Sequence, residues 1–171
     1  LATIAHKAEE ILTSGQGGAA EPGTVTERDL LPEYAAYLRS LAPIQHARRL
    51  RVVVDAGNGM AGLTAGAVLG TASGLPDLGI DLVELFFELD GTFPNHEANP
   101  LDPDTLVDLQ TAVIAEQADL GLAFDGDADR CVVIDELGVP IDPSAITTLV
   151  GLREIAKEQQ AGRTPTIVRS I

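Results

Sequence analysis

Short apolar runs alternate with segments of helical periodicity from Leu50 onward, and this alternation limits the folds that the chain can adopt. The runs cover Leu50–Val54, Leu82–Leu89, Leu120–Phe124 and Cys131–Ile134. Strands that alternate with helices are typical of α/β proteins with a largely parallel sheet. Only six residues separate the last two runs, too few for a helical crossover, so those strands should pair antiparallel. The alternation predicts a three-layer α/β/α sandwich around a small mixed sheet.

The helical segments are recognised by apolar residues that recur every three or four positions. In the segment that begins at Thr105, the side chains of Leu106, Leu109, Val113 and Ile114 are predicted to face the sheet. The predicted helices cover residues 1–12, 31–42, 105–117 and 143–160, and a last strand is predicted over residues 166–171.

The composition narrows the classes of partner. The chain has 171 residues, 26 acidic and 11 basic, with a net charge of −15 and 45% hydrophobic residues. It is long enough for one domain with a buried core, but its charge argues against nucleic acid or an anionic membrane as the main partner. The same charge argues against unaided binding of a phosphorylated metabolite. A single cysteine, Cys131, and the absence of an apolar run long enough to span a membrane predict a cytoplasmic protein.

A glycine-rich turn follows the first apolar run. Gly57, Gly59 and Gly62 form a G-x-G-x-x-G pattern between a strand and a helix, which matches the fingerprint of a Rossmann-type dinucleotide site. Two observations weaken this interpretation: Asp55 lies next to the proposed phosphate site, and the acidic residue expected about 20 residues later comes further along the chain. The alternative is that the glycines only build a tight strand-to-helix turn.

A second loop, between the last two strands, carries Asp125, Asp127, Asp129 and Arg130. Three carboxylates at alternate positions can converge if the loop bends sharply, and a hard divalent cation would offset their repulsion. Mg²⁺ typically keeps positions open for water or a phosphate oxygen. With a divalent cation bound and with Arg130 included, the net charge of the loop would be near zero, so a phosphoryl group could approach it. A solvated acidic hairpin without a ligand is the alternative.

An EF-hand also places acidic residues at loop positions 1, 3 and 5, and Glu136 would fill position 12. Position 6 needs a glycine for the turn, and here it is Arg130. The flanking segments read as strands rather than helices. The spacing therefore argues against an EF-hand.

Three segments together resemble a known family, the α-D-phosphohexomutases, and specifically the second domain of their phosphomannomutase/phosphoglucomutase branch. They are Val52–Gly62, Asp90–His96 and Leu120–Arg130, in the order and spacing of the family. The resemblance covers roughly residues 25–163 and implies the domain II fold of phosphoglucomutase. Ala98 stands where the family pattern leads us to expect proline.

The resemblance implies roles for the acidic loop. Asp125, Asp127 and Asp129 would bind Mg²⁺, which also contacts a phosphoserine oxygen from another domain, and Arg130 would be a catalytic residue that stabilises the charge of the transferred phosphoryl group. The family reaction interconverts hexose 6-phosphate and hexose 1-phosphate through a bisphosphorylated intermediate. A phosphomannomutase is favoured over a phosphoglucomutase.

Other parts of such an enzyme are missing from the sequence: the phosphoserine string, the sugar-recognition loop and the phosphate-binding loop. Ser73 is interpreted as a residue at a helix end, not as the phosphoserine. Because the chain starts with Leu1 inside a predicted helix and its only methionine is Met60, we expect a piece of a longer enzyme that is inactive alone. The expected division is a helix and flexible linker of the preceding domain (1–24), domain II (25–163) and the first strand of the next domain (164–171).

The histidines have no assigned chemistry at this stage. His96 lies in a loop of the second family segment, and a structural hydrogen bond is favoured over a catalytic role. His6 and His46 lie outside the family segments, and the sequence pairs neither of them with a second ligand or a nucleophile.

Overall fold

The computed structural model describes residues 2–15, 23–44 and 48–168, and it contains one mixed sheet of four strands in the order β2-β1-β3-β4. The strands are β1 (Leu50–Asp55), β2 (Ile80–Leu85), β3 (Leu120–Phe124) and β4 (Cys131–Ile134). β1 pairs parallel with β2 and with β3, whereas β4 pairs antiparallel with β3. The predicted mixed sheet with an antiparallel last pair is confirmed.

Helices cover both faces of the sheet and give the predicted three layers. The inward residues of β1 alternate: Val53 packs towards α4 with Leu109 and Val113, whereas Val54 packs towards α3 with Ala65. α2 lies against α3. The helices are α1 (Ala2–Ser14), α2 (Leu31–Leu41), α3 (Ala61–Val68), α4 (Val107–Ala115), which follows a 3₁₀ turn over Pro103–Leu106, and α5 (Pro143–Gln160).

Two predictions about the sheet and the helix packed on it are wrong: the end of β2 and the orientation of Ile114. β2 ends at Leu85 rather than at Leu89, because Phe86 takes a left-handed backbone conformation with φ of 54° and turns the chain. Ile114 is 60% exposed rather than inward. Leu109 and Val113 are four residues apart and share the inner face of α4, and the next residue is rotated by about 100° away from that face.

The two ends of the chain bear on the expected domain division. Every described side chain of α1 from Ile4 to Ser14 is exposed. Residues 163–168 are in neither helix nor strand, so the strand predicted over 166–171 is not found at 166–168, and residues 169–171 lie outside the described residues. Most of the predicted linker, residues 16–22, also lies outside them, as does His46. In the part of the chain that is described, no helix has the length and apolarity needed to cross a bilayer.

Candidate functional site

The acidic loop and the glycine turn lie side by side at one edge of the sheet. β1 and β3 are parallel neighbours, with Asp55 paired to Ala123, so the segments that follow both strands leave the sheet at the same edge. The glycine turn follows β1, and the acidic loop follows β3. The backbone N–H of Met60 donates to the carbonyl oxygen of Gly126 at 3.0 Å and joins the two segments.

The three carboxylates of the acidic loop converge as predicted. One oxygen each of Asp125, Asp127 and Asp129 can be chosen so that all three lie within 4.8 Å of one another. The bend comes from Ala128, whose φ of 61° is left-handed and whose N–H donates to the carbonyl oxygen of Asp125 at 3.0 Å. Asp125 is 1% exposed, whereas the other two acids are exposed. The loop therefore has one buried anchor and two acids open to solvent.

Arg130 holds the buried anchor in place. Its backbone N–H donates to Asp125 Oδ1 at 3.0 Å and its Nε donates to Asp125 Oδ2 at 2.7 Å. The same Nε lies 3.6 Å from Asp129 Oδ1, and Nη1 donates to Asn99 Oδ1 at 3.3 Å. Nη2 carries no hydrogen bond to any residue within the described ranges. Arg130 thus closes the loop on itself and keeps one donor group for an outside acceptor.

The charges of the loop affect its acids in opposite ways. Burial favours the neutral form of Asp125, but the hydrogen bonds and the charge of Arg130 outweigh it and hold the pKa of Asp125 below its ordinary value. The negative charge of Asp127, and then that of Asp125, raises the pKa of Asp129. The loop therefore contains one stabilised carboxylate and a repulsion between its acids that a cation would relieve.

The donor set fits a hard divalent cation. The acidic loop offers carboxylate oxygens only, the ligands that Mg²⁺ and Ca²⁺ prefer over the nitrogen and sulfur ligands of softer metals. Each oxygen of Asp125 already accepts one hydrogen bond, and a carboxylate oxygen has a second lone pair for a metal. The flanking segments are β3 and β4, so the site is not an EF-hand and Glu136 belongs to the turn after β4.

The glycine turn is built for packing within the chain. A Cβ atom at Gly59 would lie 2.7 Å from the carbonyl oxygen of Gly126, and one at Gly62 would lie 2.2 Å from that of Phe87. The amides that would have to face a pyrophosphate already donate within the chain: those of Gly57, Asn58, Gly59, Met60 and Gly62. These contacts are those of a tight strand-to-helix turn, the alternative to a dinucleotide site. No contact of the glycine turn supports a dinucleotide site.

A contact between a buried carboxyl group and a histidine lies beside the glycine turn. Asp55, at the end of β1, is 1% exposed, and its Oδ2 lies 3.0 Å from His96 Nε2. Its Oδ1 accepts from the N–H of Gly57 at 2.8 Å. His96 therefore has the structural hydrogen bond that was favoured for it, and its partner is 41 residues away in the chain. The signal in the sequence is an acid that directly follows the three apolar residues Val52–Val54 at the end of a strand and so needs a partner.

Ser73 lies away from the acidic loop, near the end of α3. Its hydroxyl donates to the carbonyl oxygen of Ala67 at 2.8 Å, and Gly74 follows with a φ of 73°. α3 ends at Val68 with Leu69 as its C-cap, so Ser73 lies in the turn that follows the helix rather than at its end.

Comparison with known proteins places this chain in one family. Residues 32–138 match the family described as phosphoglucomutase/phosphomannomutase, alpha/beta/alpha domain II. A phosphomannomutase/phosphoglucomutase of Pseudomonas aeruginosa is 42% identical over 127 residues, which are 74% of this chain and 26% of that protein. A phosphoglucomutase of Neisseria meningitidis serogroup B is 39% identical over 146 residues, 82% of this chain and 30% of that protein.

A solved structure gives the same result. The crystal structure of a phosphoglucomutase/phosphomannomutase family protein from Burkholderia thailandensis superposes with a TM-score of 0.70 at 32% identity. The superposition covers 92% of this chain and 32% of that protein. The chain thus spans about a quarter to a third of the length of the relatives that it matches.

Proposed function

The chain belongs to the phosphoglucomutase/phosphomannomutase family as an α/β/α domain II, and on this premise we propose that its acidic loop binds Mg²⁺ in an enzyme that interconverts hexose 6-phosphates and hexose 1-phosphates. The observation that carries the proposal is the convergence of Asp125, Asp127 and Asp129, whose ligand atoms lie within 4.8 Å of one another. When bound, Mg²⁺ would polarise a phosphoryl oxygen and offset the charge that develops during transfer.

Arg130 is proposed to act on the phosphoryl group itself. Its Nε and backbone N–H are engaged by Asp125, which orients the guanidinium at the mouth of the loop. The side chain is 49% exposed, so its remaining donors can reach a phosphate oxygen brought by another domain. A guanidinium held in advance by a buried carboxylate stabilises charge without reorganising during the reaction.

The rest of the active site is proposed to come from other domains of the same enzyme. A phosphoserine domain, a sugar-recognition domain and a phosphate-binding domain would supply what this chain lacks, and the phosphohexose would bind between them. The net charge of −15 supports this division, because a phosphosugar needs cationic groups that few residues here provide. This chain alone is then expected to be inactive.

The boundaries of domain II are proposed at residues 25 and 163, with 1–24 and 164–171 belonging to the neighbouring domains. The exposed side chains of α1 support this division, since a helix that belonged to the core of domain II would bury one of its faces. For the substrate we favour mannose phosphate over glucose phosphate, and for the location the cytoplasm, where a lone cysteine such as Cys131 stays reduced.

Calorimetric titration of the 171-residue chain with Mg²⁺ and Mn²⁺ tests the metal site. We expect saturable binding that Asp127→Asn abolishes or weakens at least about tenfold, because one of three charged ligands is lost. Glu136→Gln removes the same charge from an exposed position after β4 and should leave the affinity unchanged. Equal heats in wild type and Asp127→Asn would refute the site.

A further inference from the structure

The imidazole of His96 lies between two hydrogen-bond acceptors. Nδ1 is 2.9 Å from the carbonyl oxygen of Glu97, and Nε2 is 3.0 Å from Asp55 Oδ2. A carbonyl oxygen can only accept, so Nδ1 must carry a proton. If the ring were neutral, the lone pair of Nε2 would face the lone pairs of an ionised carboxylate. The contact is favourable only with a proton between them.

The surroundings of Asp55 favour the proton on the histidine. Oδ1 of Asp55 accepts from Gly57, a hydrogen bond that is stronger when the acceptor is ionised, and the side chains of Asp55 and His96 are only 1% and 16% exposed. The ring of Phe86 packs edge-on against the imidazole with centroids 5.3 Å apart. Water therefore has little access to compete for the bond, and a buried carboxylate needs a cationic partner.

The pair also links the glycine turn to the acidic loop. His96 belongs to the segment 93–99, which lies between them: a Cβ atom at Gly126 would lie 3.4 Å from the ring of Phe93, and one at Gly57 would lie 3.4 Å from the Cβ atom of Ala98. Further along the same segment, Asn99 accepts a hydrogen bond from Arg130. A change at His96 can therefore move the backbone that supports the acidic loop.

We propose that Asp55 and His96 retain a shared proton as a carboxylate–imidazolium pair, and that this pair is a positioning device that holds the segment 93–99 against the acidic loop. The proposal deepens the proposed function, because the loop that it positions is the one to which we assign Mg²⁺. His96 itself contacts none of the three carboxylates.

The surroundings of His96 favour its protonated form, whereas burial acts against the ionised form of Asp55. Burial opposes the charged ring, but the carbonyl oxygen of Glu97 and the charge of Asp55 outweigh it and raise the pKa of His96. Burial raises the pKa of Asp55 as well, against the hydrogen bond from Gly57 and the charge of His96. Asp108, on α4, is the other acid that acts on both groups, and it raises both pKa values.

NMR of the metal-free chain tests the proposal independently of metal binding. In the wild type, both ring nitrogens of His96 should be protonated near neutral pH. In Asp55→Asn the ring should become neutral there, because the amide can accept from Gly57 and donate to an unprotonated Nε2. Asp108→Asn, which removes the same charge without removing a hydrogen bond, should leave both nitrogens protonated.

The positioning role is tested by the NMR signals of two backbone amides. The N–H of Met60 donates to the carbonyl oxygen of Gly126, and the N–H of Arg130 donates to Asp125 Oδ1. His96→Ala should shift both signals, and Asp108→Asn should shift neither. A neutral His96 ring in the wild type, or unmoved Met60 and Arg130 signals in His96→Ala, overturns the proposal. The wild-type ring decides the protonation state even if a variant does not fold. Since no metal is present, a failure of Mg²⁺ binding would be a separate result.

Discussion

The backbone N–H of Met60 donates to the carbonyl oxygen of Gly126 at 3.0 Å, and this bond joins the turn after β1 to the acidic loop after β3. Gly59 allows the approach, because a Cβ atom there would lie 2.7 Å from the same carbonyl oxygen. The glycine that imitates a nucleotide fingerprint is thus required by the backbone that carries the proposed metal ligands.

Gly59→Ala should therefore disturb the acidic loop. A methyl group that meets backbone cannot be relieved by a rotamer change, so we expect a loss of about 1–3 kcal/mol in the free energy of unfolding and weaker binding of Mn²⁺. Urea unfolding and metal titration measure the two effects. Gly91→Ala is the matched control, since a Cβ atom there meets nothing within 4 Å. Equal behaviour of the two variants would contradict the close contact.

Arg130→Ala should destabilise the metal-free chain. The substitution leaves the buried carboxylate of Asp125 without its guanidinium partner, which costs about 1–3 kcal/mol. Bound Mg²⁺ should restore part of this loss, because the cation also neutralises Asp125. Arg163→Ala breaks a pair with Glu158 whose side chains are 60% and 34% exposed, and it should change the unfolding midpoint less. If the two variants were equally stable without metal, Arg130 would not be holding Asp125.

Asp129→Asn should separate stability from metal binding. The charge of Asp127, followed by that of Asp125, raises the pKa of Asp129, so the ionised side chain is repelled in the metal-free loop. Removing its charge is expected to raise the melting temperature without metal and to reduce the further increase that Mg²⁺ gives. Thermal unfolding with and without Mg²⁺ measures both. A lower melting temperature without metal would show that repulsion does not dominate in the loop.

The pair of Asp55 and His96 should make stability depend on pH. Because the folded chain raises the pKa of His96, it binds that proton more tightly than the unfolded chain. The stabilisation is complete below about pH 6.5, the ordinary pKa of histidine, and is lost as the pH rises through the raised pKa. Urea unfolding from about pH 6 to about pH 9 should show this decline in the wild type. A glutamine side chain does not titrate in this range, so His96→Gln should show a shallower decline, and equal slopes would contradict the account.

The sequence predicts β3 and β4 to the residue, because each is a short apolar run bounded by the polar residues of the acidic loop. The end of β2 could not be read in the same way. Phe86 and Phe87 continue its apolar run, yet Phe86 leaves the strand in a left-handed conformation and gives its carbonyl oxygen to the N–H of Asn58. This hydrogen bond is made to the segment that follows the neighbouring strand, β1. The periodicity of residues along one segment contains no information about its neighbours in the sheet.

The candidate site was predictable where it is local. Three carboxylates within five residues can converge through a single bend, so their spacing pointed to the site, and the left-handed conformation of Ala128 supplies the bend. The partners from distant segments were not predictable: Asp55 and His96 are brought together by the parallel pairing of β1 and β2 and by the turn that follows. The bond between Arg130 and Asp125 was also missed, since the sequence suggested only that Arg130 lies near a phosphoryl group.

The most direct test of the metal site is the position at which a paramagnetic cation binds. Mn²⁺ added to the isotope-labelled chain broadens the NMR signals of nearby nuclei, and excess Mg²⁺ displaces it from a shared site. We expect broadening centred on residues 125–130 and on the adjoining turn at Met60, reversed by Mg²⁺. Broadening spread over the exposed acids of the whole surface, or centred on another segment, would contradict the assignment of Asp125, Asp127 and Asp129 as the metal ligands.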